Sequence, residues 1–207
     1  MPGIVIHAHT FAPAVRADVH HPRVMRIAIP DPSVIVLVGA AGAGKSTLAD
    51  RWFRPDEVLS SDALRAAISG SAADQRATGA AFRAIERQLE RRLAQRRLTV
   101  IDATNVQSRD RRPWLAAARR HGLPAVAVVL DLPPAQVLAQ AAGRERHVPD
   151  EVIRRHLDAV RAAVDGEAFA REGFALVVIL RSRDDLALVE LERVPWSPPA
   201  APPGTTT

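Results

Sequence analysis

Cysteine is absent from the sequence, and aromatic residues make up only 4% of its 207 residues. The absence of cysteine excludes disulfide bonds, thiolate catalysis and zinc sites with cysteine ligands. No apolar run reaches the ~18 residues of a membrane span, and the first residues lack the basic and apolar regions of a secretory signal. We therefore expect a cytoplasmic protein with no membrane association.

Lysine is almost absent too, since Lys45 is the only lysine among 28 lysine and arginine residues. The two side chains are not interchangeable, because guanidinium is a planar fork and ammonium a compact point charge. A preference for arginine throughout a chain reflects genome composition more often than function, so the position of the one lysine is informative. The formal net charge of +5 is compatible with an anionic partner.

Hydrophobic and charged residues make up 47% and 25% of the chain, which are the proportions of a folded soluble domain. We expect one domain over residues 25–194, a loosely ordered extension over residues 1–24 and a proline-rich tail over residues 195–207. The extension has several histidines but no carboxylate spaced to complete a metal site with them: His7, His9, His20 and His21.

Apolar runs alternate with amphipathic stretches inside this domain. Strands are predicted over Val24–Ile29, Ser33–Val38, Glu57–Ser60, Leu98–Ile101, Ala125–Leu130 and Phe174–Leu180. Helices are predicted over Lys45–Phe53, Asp62–Ile68, Thr78–Arg96, Arg109–His121, Pro134–Ala142 and Asp150–Val164. Strands that alternate with crossover helices form a parallel sheet with helices on both faces, and ligands bind beyond the carboxyl ends of its strands. The predicted fold class is therefore α/β.

The lysine lies in GAAGAGKS, residues 39–46, which satisfies the pattern G-x-x-x-x-G-K-[ST] of a phosphate-binding loop. The loop follows a predicted strand and opens a predicted helix, as such a loop requires. Its backbone N–H groups would bind the β-phosphate of ATP, Lys45 would reach the β- and γ-phosphates, and the Ser46 hydroxyl would coordinate Mg²⁺. The predicted ATP-binding residues of this segment are Gly39, Ala40, Ala41, Gly42, Ala43, Gly44, Lys45, Ser46 and Thr47.

Asp62 follows the next predicted strand, at the ligand edge of the sheet. A carboxylate there can accept the proton of an attacking hydroxyl group, as a kinase requires. The alternative is that Asp62 only caps the helix that begins there, and the spacing alone favours neither reading. Arg65, one turn later, would lie on the same face and could bind a phosphate of the acceptor.

Two further segments fit the chemistry of phosphoryl transfer. Asp102 ends another apolar strand, where a carboxylate holds Mg²⁺ directly or through water and Ser46, although a strand-terminal aspartate can also serve only a turn. The segment Gly143–Arg146 lies between two predicted helices, where a lid supplies arginines to the transferring phosphoryl group. An ordinary charged loop is the alternative for this segment.

The chain resembles the 5′-kinase module of the bacterial polynucleotide kinase–phosphatase RNA-repair enzymes, which are relatives of the phage polynucleotide kinases. The resemblance extends from Met25 to about Arg193 and includes RIAIPDPSVIVLVG, GAAGAGKST, VLSSDALR, DQRATGAAF, LTVIDATNVQ, PAVAVVLDLP and VIRRH. VLSSD, TGAAF and DATNV are more specific than the phosphate-binding loop, which many unrelated NTPases share.

This resemblance implies a phosphate-loop kinase fold with a helical lid and ATP-dependent phosphorylation of a 5′-hydroxyl end of RNA or DNA. It implies that Lys45 and Ser46 serve ATP and Mg²⁺ and that Asp62 is the general base. It also implies that Arg65 contacts a phosphate of the acceptor and that Arg144 contacts the ATP phosphates.

The chain also departs from the family. Gln140 stands where a second lid arginine is usual, and the segment between Arg144 and Val148 is about one residue shorter. The large repair enzymes continue into phosphatase and ligase modules, so we expect those two activities on separate polypeptides. Two alternatives stay open: a kinase of a small molecule, such as an antibiotic, sugar or nucleoside, and a weakly active ATP-binding regulator.

Overall fold

A computed structural model describes residues 4–8, 15–17, 24–70, 78–143 and 148–198. In chain order its strands are β1 (Val5–Ala8), β2 (Val15–Ala17), β3 (Met25–Asp31), β4 (Val34–Val38), β5 (Val58–Ser60), β6 (Thr99–Asp102), β7 (Ala125–Leu130), β8 (Leu176–Leu180) and β9 (Val189–Pro195). Its helices are α1 (Lys45–Trp52), α2 (Ser61–Ser69), α3 (Thr78–Ala94), α4 (Ser108–Arg120), α5 (Pro134–Ala142), α6 (Asp150–Asp165), α7 (Ala168–Glu172) and α8 (Arg183–Leu188), and a 3₁₀ turn spans Pro55–Glu57.

The main sheet has the strand order β1-β8-β7-β4-β6-β5. The neighbours β8, β7, β4, β6 and β5 run parallel, whereas β1 pairs antiparallel with β8. Every residue of β4, β6, β7 and β8 is buried, as in a sheet covered on both faces. The predicted α/β class, a mostly parallel sheet with helices on both faces, is therefore confirmed.

Two apolar cores lie on the two faces of this sheet. Successive side chains of a strand point to opposite faces, so Ile35 and Leu37 of β4 join one core and Val36 joins the other. The first core also contains apolar residues of α1, α5 and α6, and the second contains those of α3 and α4. The helices therefore hold the parallel strands so that the carboxyl ends of β4, β5 and β6 meet at one edge.

The structure differs from the expectation of a loosely ordered extension over residues 1–24, because β1 and β2 lie within it. β1 joins the main sheet with Val5 opposite Ile179, and the half-buried Val5 and Ile6 pack against the two cores. Four residues with partial burial give too weak a pattern to identify a strand from sequence. His9, His20 and His21 lie outside the described residues, as do residues 199–207 of the predicted tail.

A second sheet has the strand order β2-β3-β9. β3 and β9 are parallel, and Ile27 of β3 lies opposite Leu191 of β9. The sequence analysis did not predict β9, whose charged residues are largely exposed. Arg193 of β9 nevertheless connects this sheet to the main one, because it forms two hydrogen bonds to the buried carboxylate of Glu57, at 2.8 and 2.7 Å.

Among the helices of the described segments, none combines the length and the hydropathy that crossing a membrane would require.

Candidate phosphate-binding cleft

A cleft of about 690 Å³ opens at the carboxyl edge of the main sheet. Its floor is the loop between β4 and α1, and its sides come from the first turns of α2 and α3, the end of β6 and the first half of α6. Lys45, Ser46, Asp62, Arg65 and Asp102 all line it. The structure therefore brings these five predicted residues together with Ala41, Gly42 and Gly44 of the loop. The other predicted ATP-binding residues do not line the cleft: Gly39, Ala40, Ala43 and Thr47.

The loop needs glycine at two of its positions. Gly42 and Gly44 have φ angles of +84° and +96°, in the left-handed region that side chains rarely adopt. A Cβ atom on Gly42 would also lie 2.9 Å from the Cβ of Ala141 on α5. The Gly39 N–H donates to the Thr104 carbonyl oxygen at 3.0 Å, which ties the start of the loop to the segment after β6.

Lys45 folds back across its own loop. Its Nζ donates to the carbonyl oxygens of Gly39 and Ala40, each at 2.9 Å, and the residue is 8% exposed. Lys45 is also the first residue of α1, whose first turn contains no acidic residue. An anion at this helix end would meet backbone N–H groups, the positive end of the helix dipole and the ammonium group of Lys45.

Ser46 and Asp102 form the oxygen-rich part of the cleft. The Ser46 hydroxyl donates to Asp102 Oδ2 at 2.8 Å. Hydroxyl and carboxylate oxygens are hard ligands that suit Mg²⁺, which uses few protein ligands and keeps several waters. The donor set of this pair therefore fits the metal that the sequence analysis predicts here.

A buried network supports the segment that follows Asp102. Asn105 has a φ of +50°, and its Nδ2 donates to the Leu37 carbonyl oxygen at 2.8 Å. Trp114 Nε1 donates to Asn105 Oδ1 at 3.1 Å, and Arg111 donates to the Asn105 carbonyl oxygen at 2.8 Å. Arg111 in turn forms a two-point ion pair with Glu172. These contacts fix the end of β6, and with it Asp102, against β4, α4 and α7.

Asp62 is not the cap of α2. The N-cap is Ser60, whose Oγ accepts from the Ala63 N–H at 3.4 Å. Asp62 lies in the first turn, its side chain is 55% exposed, and it forms an ion pair with the guanidinium of Arg65, which is 7% exposed. The capping alternative for Asp62 is therefore wrong, and its carboxylate faces the cleft on the same helix face as Arg65.

The predicted lid lies mostly outside the described residues. Gly143 ends α5, and residues 144–147, which include Arg144 and Arg146, are not described. Gln140 is described, and its Oε1 accepts a hydrogen bond from Nη2 of Arg183 on α8 at 3.2 Å.

Several cleft residues were not predicted as site residues, although all but Pro149 lie in the quoted motifs TGAAF and VIRRH: Thr78, Phe82, Pro149, Val152 and His156. Pro149, Val152 and His156 are spaced three and four residues apart, as on one face of a helix. Spacing alone does not show which face of α6 lies toward the carboxyl edge of the sheet. Burial lowers the pKa of His156, and the positive charges of Lys45 and Arg155 lower it further, whereas Asp110 acts in the opposite direction.

Comparison with known proteins agrees with this geometry. A family model described as AAA domain matches residues 34–166, which include the loop, Asp62 and Asp102. No curated protein matches the chain.

Two of the matching solved structures superimpose with TM-scores above 0.5 and share the fold. A chain of the Pnkp1/Rnl/Hen1 RNA repair complex superimposes with a TM-score of 0.58 and 21% identity, over 67% of this chain and 47% of that one. A chain of the PezAT toxin–antitoxin system of Streptococcus pneumoniae has a TM-score of 0.52 and 13% identity, over 74% of this chain and 70% of that one. A sugar kinase from Janibacter sp. HTCC2649 has a TM-score of 0.48 and 18% identity, over 72% of this chain and 85% of that one. The chain thus spans about half the length of the RNA-repair chain that it resembles.

Proposed function

Because this chain belongs to the family described as AAA domain and has the fold of phosphate-loop kinases, we propose that it is an ATP- and Mg²⁺-dependent kinase. Its acceptor in this proposal is the 5′-hydroxyl end of RNA or DNA. The observation that carries the proposal is that one cleft contains both the phosphate-binding loop and the Asp62–Arg65 pair. A protein that only binds nucleotide needs the first of these features and not the second.

The loop end of the cleft holds the nucleotide in this proposal. The Nζ of Lys45 already lies within hydrogen-bond distance of the loop carbonyl oxygens, so its ammonium group is positioned at the loop that would bind the phosphates. Ser46 and Asp102 hold the Mg²⁺, which when bound neutralises charge on the phosphate oxygens. Arg144, in the segment proposed as the lid, adds a guanidinium to the charge that develops during transfer.

The α2 end of the cleft holds the acceptor. Asp62 accepts the proton of the 5′-hydroxyl group, and Arg65 orients the Asp62 carboxylate through their ion pair. Because Arg65 is buried while Asp62 is exposed, the guanidinium is held in place by the protein and can present a second N–H to a phosphate of the acceptor. A polynucleotide end carries a hydroxyl group and a nearby phosphate, which are the two groups that this pair would bind. That one fold relative belongs to an RNA repair complex supports the choice of RNA among the acceptors.

The test is transfer of label from γ-labelled ATP to matched oligonucleotides. RNA and DNA strands of one sequence are offered with a 5′-hydroxyl end and, as the control, with a 5′-phosphate end. We expect label on the hydroxyl ends alone. Transfer only to a sugar, nucleoside or antibiotic would make the protein a small-molecule kinase, and ATP binding without any transfer would make it a regulator.

A further inference from the structure

The wall of the cleft opposite α2 is formed by the first half of α6. Pro149, Val152 and His156 line the cleft from this side, at spacings of three and four residues that place them on one face of the helix. Ile153 and Leu157 point instead into the first apolar core. Among the described residues of α6 that line the cleft, only His156 has a polar side chain.

The ring of His156 has an unsatisfied nitrogen. Its Nδ1 is buried, and none of the described residues forms a hydrogen bond with it. Buried polar atoms in proteins are nearly always paired, and exceptions often mark functional sites. The residue itself is half-buried and lines the cleft. Since Nδ1 is enclosed, Nε2 is the ring nitrogen that is able to meet a ligand.

The charges around His156 determine what kind of ligand it can meet. Lys45 and Arg155 are the positive groups that act on the ring, and Asp110 is the negative one. Burial and the two cations favour the neutral imidazole, which carries a single N–H. A proton on Nδ1 would have no acceptor there, so the neutral ring is best satisfied with its N–H on Nε2, toward the cleft. A ligand atom near Lys45 that accepts this hydrogen bond is most favourable when it is anionic.

We propose that His156 is a phosphate-binding residue of the cleft, donating its Nε2–H to a phosphate oxygen of the bound ligand. The inference rests on the proposed function only for the source of that phosphate, which is either ATP or the acceptor strand. In both cases a neutral donor on the α6 wall complements the cationic Lys45 on the floor. Apolar walls with a few well-placed polar groups are typical of ligand sites.

Two substitutions distinguish the roles of the two ring nitrogens of His156. The amide of asparagine takes the place of Nδ1 and that of glutamine the place of Nε2, so His156→Gln keeps a donor in the cleft whereas His156→Asn does not. Arg154→Gln, at an exposed position on α6 whose charge is not among those that act on the His156 ring, is the matched control. We expect His156→Asn to raise one KM by about tenfold, which is typical of a lost hydrogen bond to a charged group. His156→Gln should lose much less, and the control should resemble the unsubstituted protein.

The KM that changes identifies the source: that of ATP if the phosphate belongs to the nucleotide, that of the 5′-hydroxyl oligonucleotide if it belongs to the acceptor. Unchanged KM values for both in a folded His156→Asn protein would overturn the proposal, as would equal losses in the Gln and Asn variants. Melting curves of each variant exclude unfolding as the cause.

A second measurement does not depend on kinase activity. The ring nitrogens of His156 in the unsubstituted protein are followed by NMR while inorganic tripolyphosphate is added with Mg²⁺. We expect a neutral ring with its proton on Nε2 and a shift of the Nε2 signal on binding, with no such shift in a Lys45→Ala protein. If tripolyphosphate and, in a separate titration, the 5′-hydroxyl oligonucleotide both bind without moving the His156 signals, the inference is overturned and the proposed function is left intact. If no label is transferred from ATP to the oligonucleotide while the His156 signals respond to tripolyphosphate, the proposed function is overturned and the inference is left intact.

Discussion

The guanidinium Nη2 of Arg183 on α8 donates a hydrogen bond to the side-chain Oε1 of Gln140 on α5, and the two atoms are 3.2 Å apart. A Cβ atom placed on Gly44 would lie 3.9 Å from Nε2 of the same glutamine. Gln140 therefore lies between the phosphate-binding loop and an arginine from a later helix. A cation is thus present one side chain away from Gln140, the position at which the sequence resemblance predicts a second lid arginine.

This contact determines what Gln140→Arg should do. The substitution alone places two guanidinium groups side by side, so we expect at most a small rise in kcat or a small fall in the KM for ATP. In the double variant Gln140→Arg/Arg183→Gln the new guanidinium keeps a hydrogen-bonding partner, and we expect transfer to improve severalfold. Steady-state kinetics of both singles and the double complete a double-mutant cycle. Additive effects in that cycle would show that residues 140 and 183 do not act together.

Lys45→Ala should abolish transfer and leave the protein folded. Lys45 donates to carbonyl oxygens of its own loop and is not a member of either apolar core. We expect no labelled oligonucleotide above background, together with a melting temperature within a few degrees of that of the unsubstituted protein. Near-normal transfer in this variant would show that the loop is not the nucleotide site.

Much of the fold could be predicted from the sequence, because its central elements have strong local signals. The β7 run AVAVVL is wholly apolar, and α5 begins at the second of two prolines and ends before a glycine, so both were predicted with the observed bounds. β9 was missed because the alternation of apolar and charged residues in VELERVP covers only its first four residues, on a strand that is largely exposed. The meeting of Ser46 with Asp102 was predictable from the rule for strand ends, and their hydrogen bond agrees with it.

Other features of the site depend on tertiary packing that no local pattern contains. Whether Asp62 or Ser60 caps α2 depends on where the helix begins, and the two possible N-cap residues are only two positions apart. The position of His156 in the cleft depends on the rotation of α6 against the sheet. Gln140 could be identified as a departure from the family, but its partner Arg183 is 43 residues away in sequence.

Asp62→Asn tests the proposed base directly. The change is nearly isosteric, but an amide oxygen is a poor base, so we expect kcat to fall by about 10² to 10⁴ with little change in ATP affinity. Ser60→Ala is the matched control on the same helix, since it removes the cap and should cost about 1 kcal/mol of unfolding free energy. Rapid-quench kinetics and urea unfolding on both variants separate the two roles. Normal transfer by the Asp62→Asn protein would leave the reaction without its proposed base.

Glu57 should make the protein sensitive to acid. Burial raises the pKa of this carboxyl group, but the hydrogen bonds and charge of Arg193, together with Arg54, lower it overall below its ordinary value of 4.5. A group whose pKa is lower in the folded state stabilises the protein above its unfolded-state pKa, and this stabilisation is lost as the pH falls through the folded-state value. Since Arg193 lies on β9 and Glu57 just before β5, the pair connects the two sheets, and its loss should loosen the smaller one first.

The measurement is urea unfolding from pH 7 to pH 3, with Glu57→Gln beside the unsubstituted protein. The glutamine cannot ionise, so the variant should be less stable at pH 7, and the difference between the two proteins should shrink below pH 4.5, the ordinary pKa. Asp56→Asn is the control, because Asp56 is an exposed neighbour that pairs with Arg54 and Arg97, and exposed pairs contribute little. If the difference between the Glu57→Gln and unsubstituted proteins stayed constant down to pH 3, ionisation of Glu57 would not be what holds β9 to the main sheet.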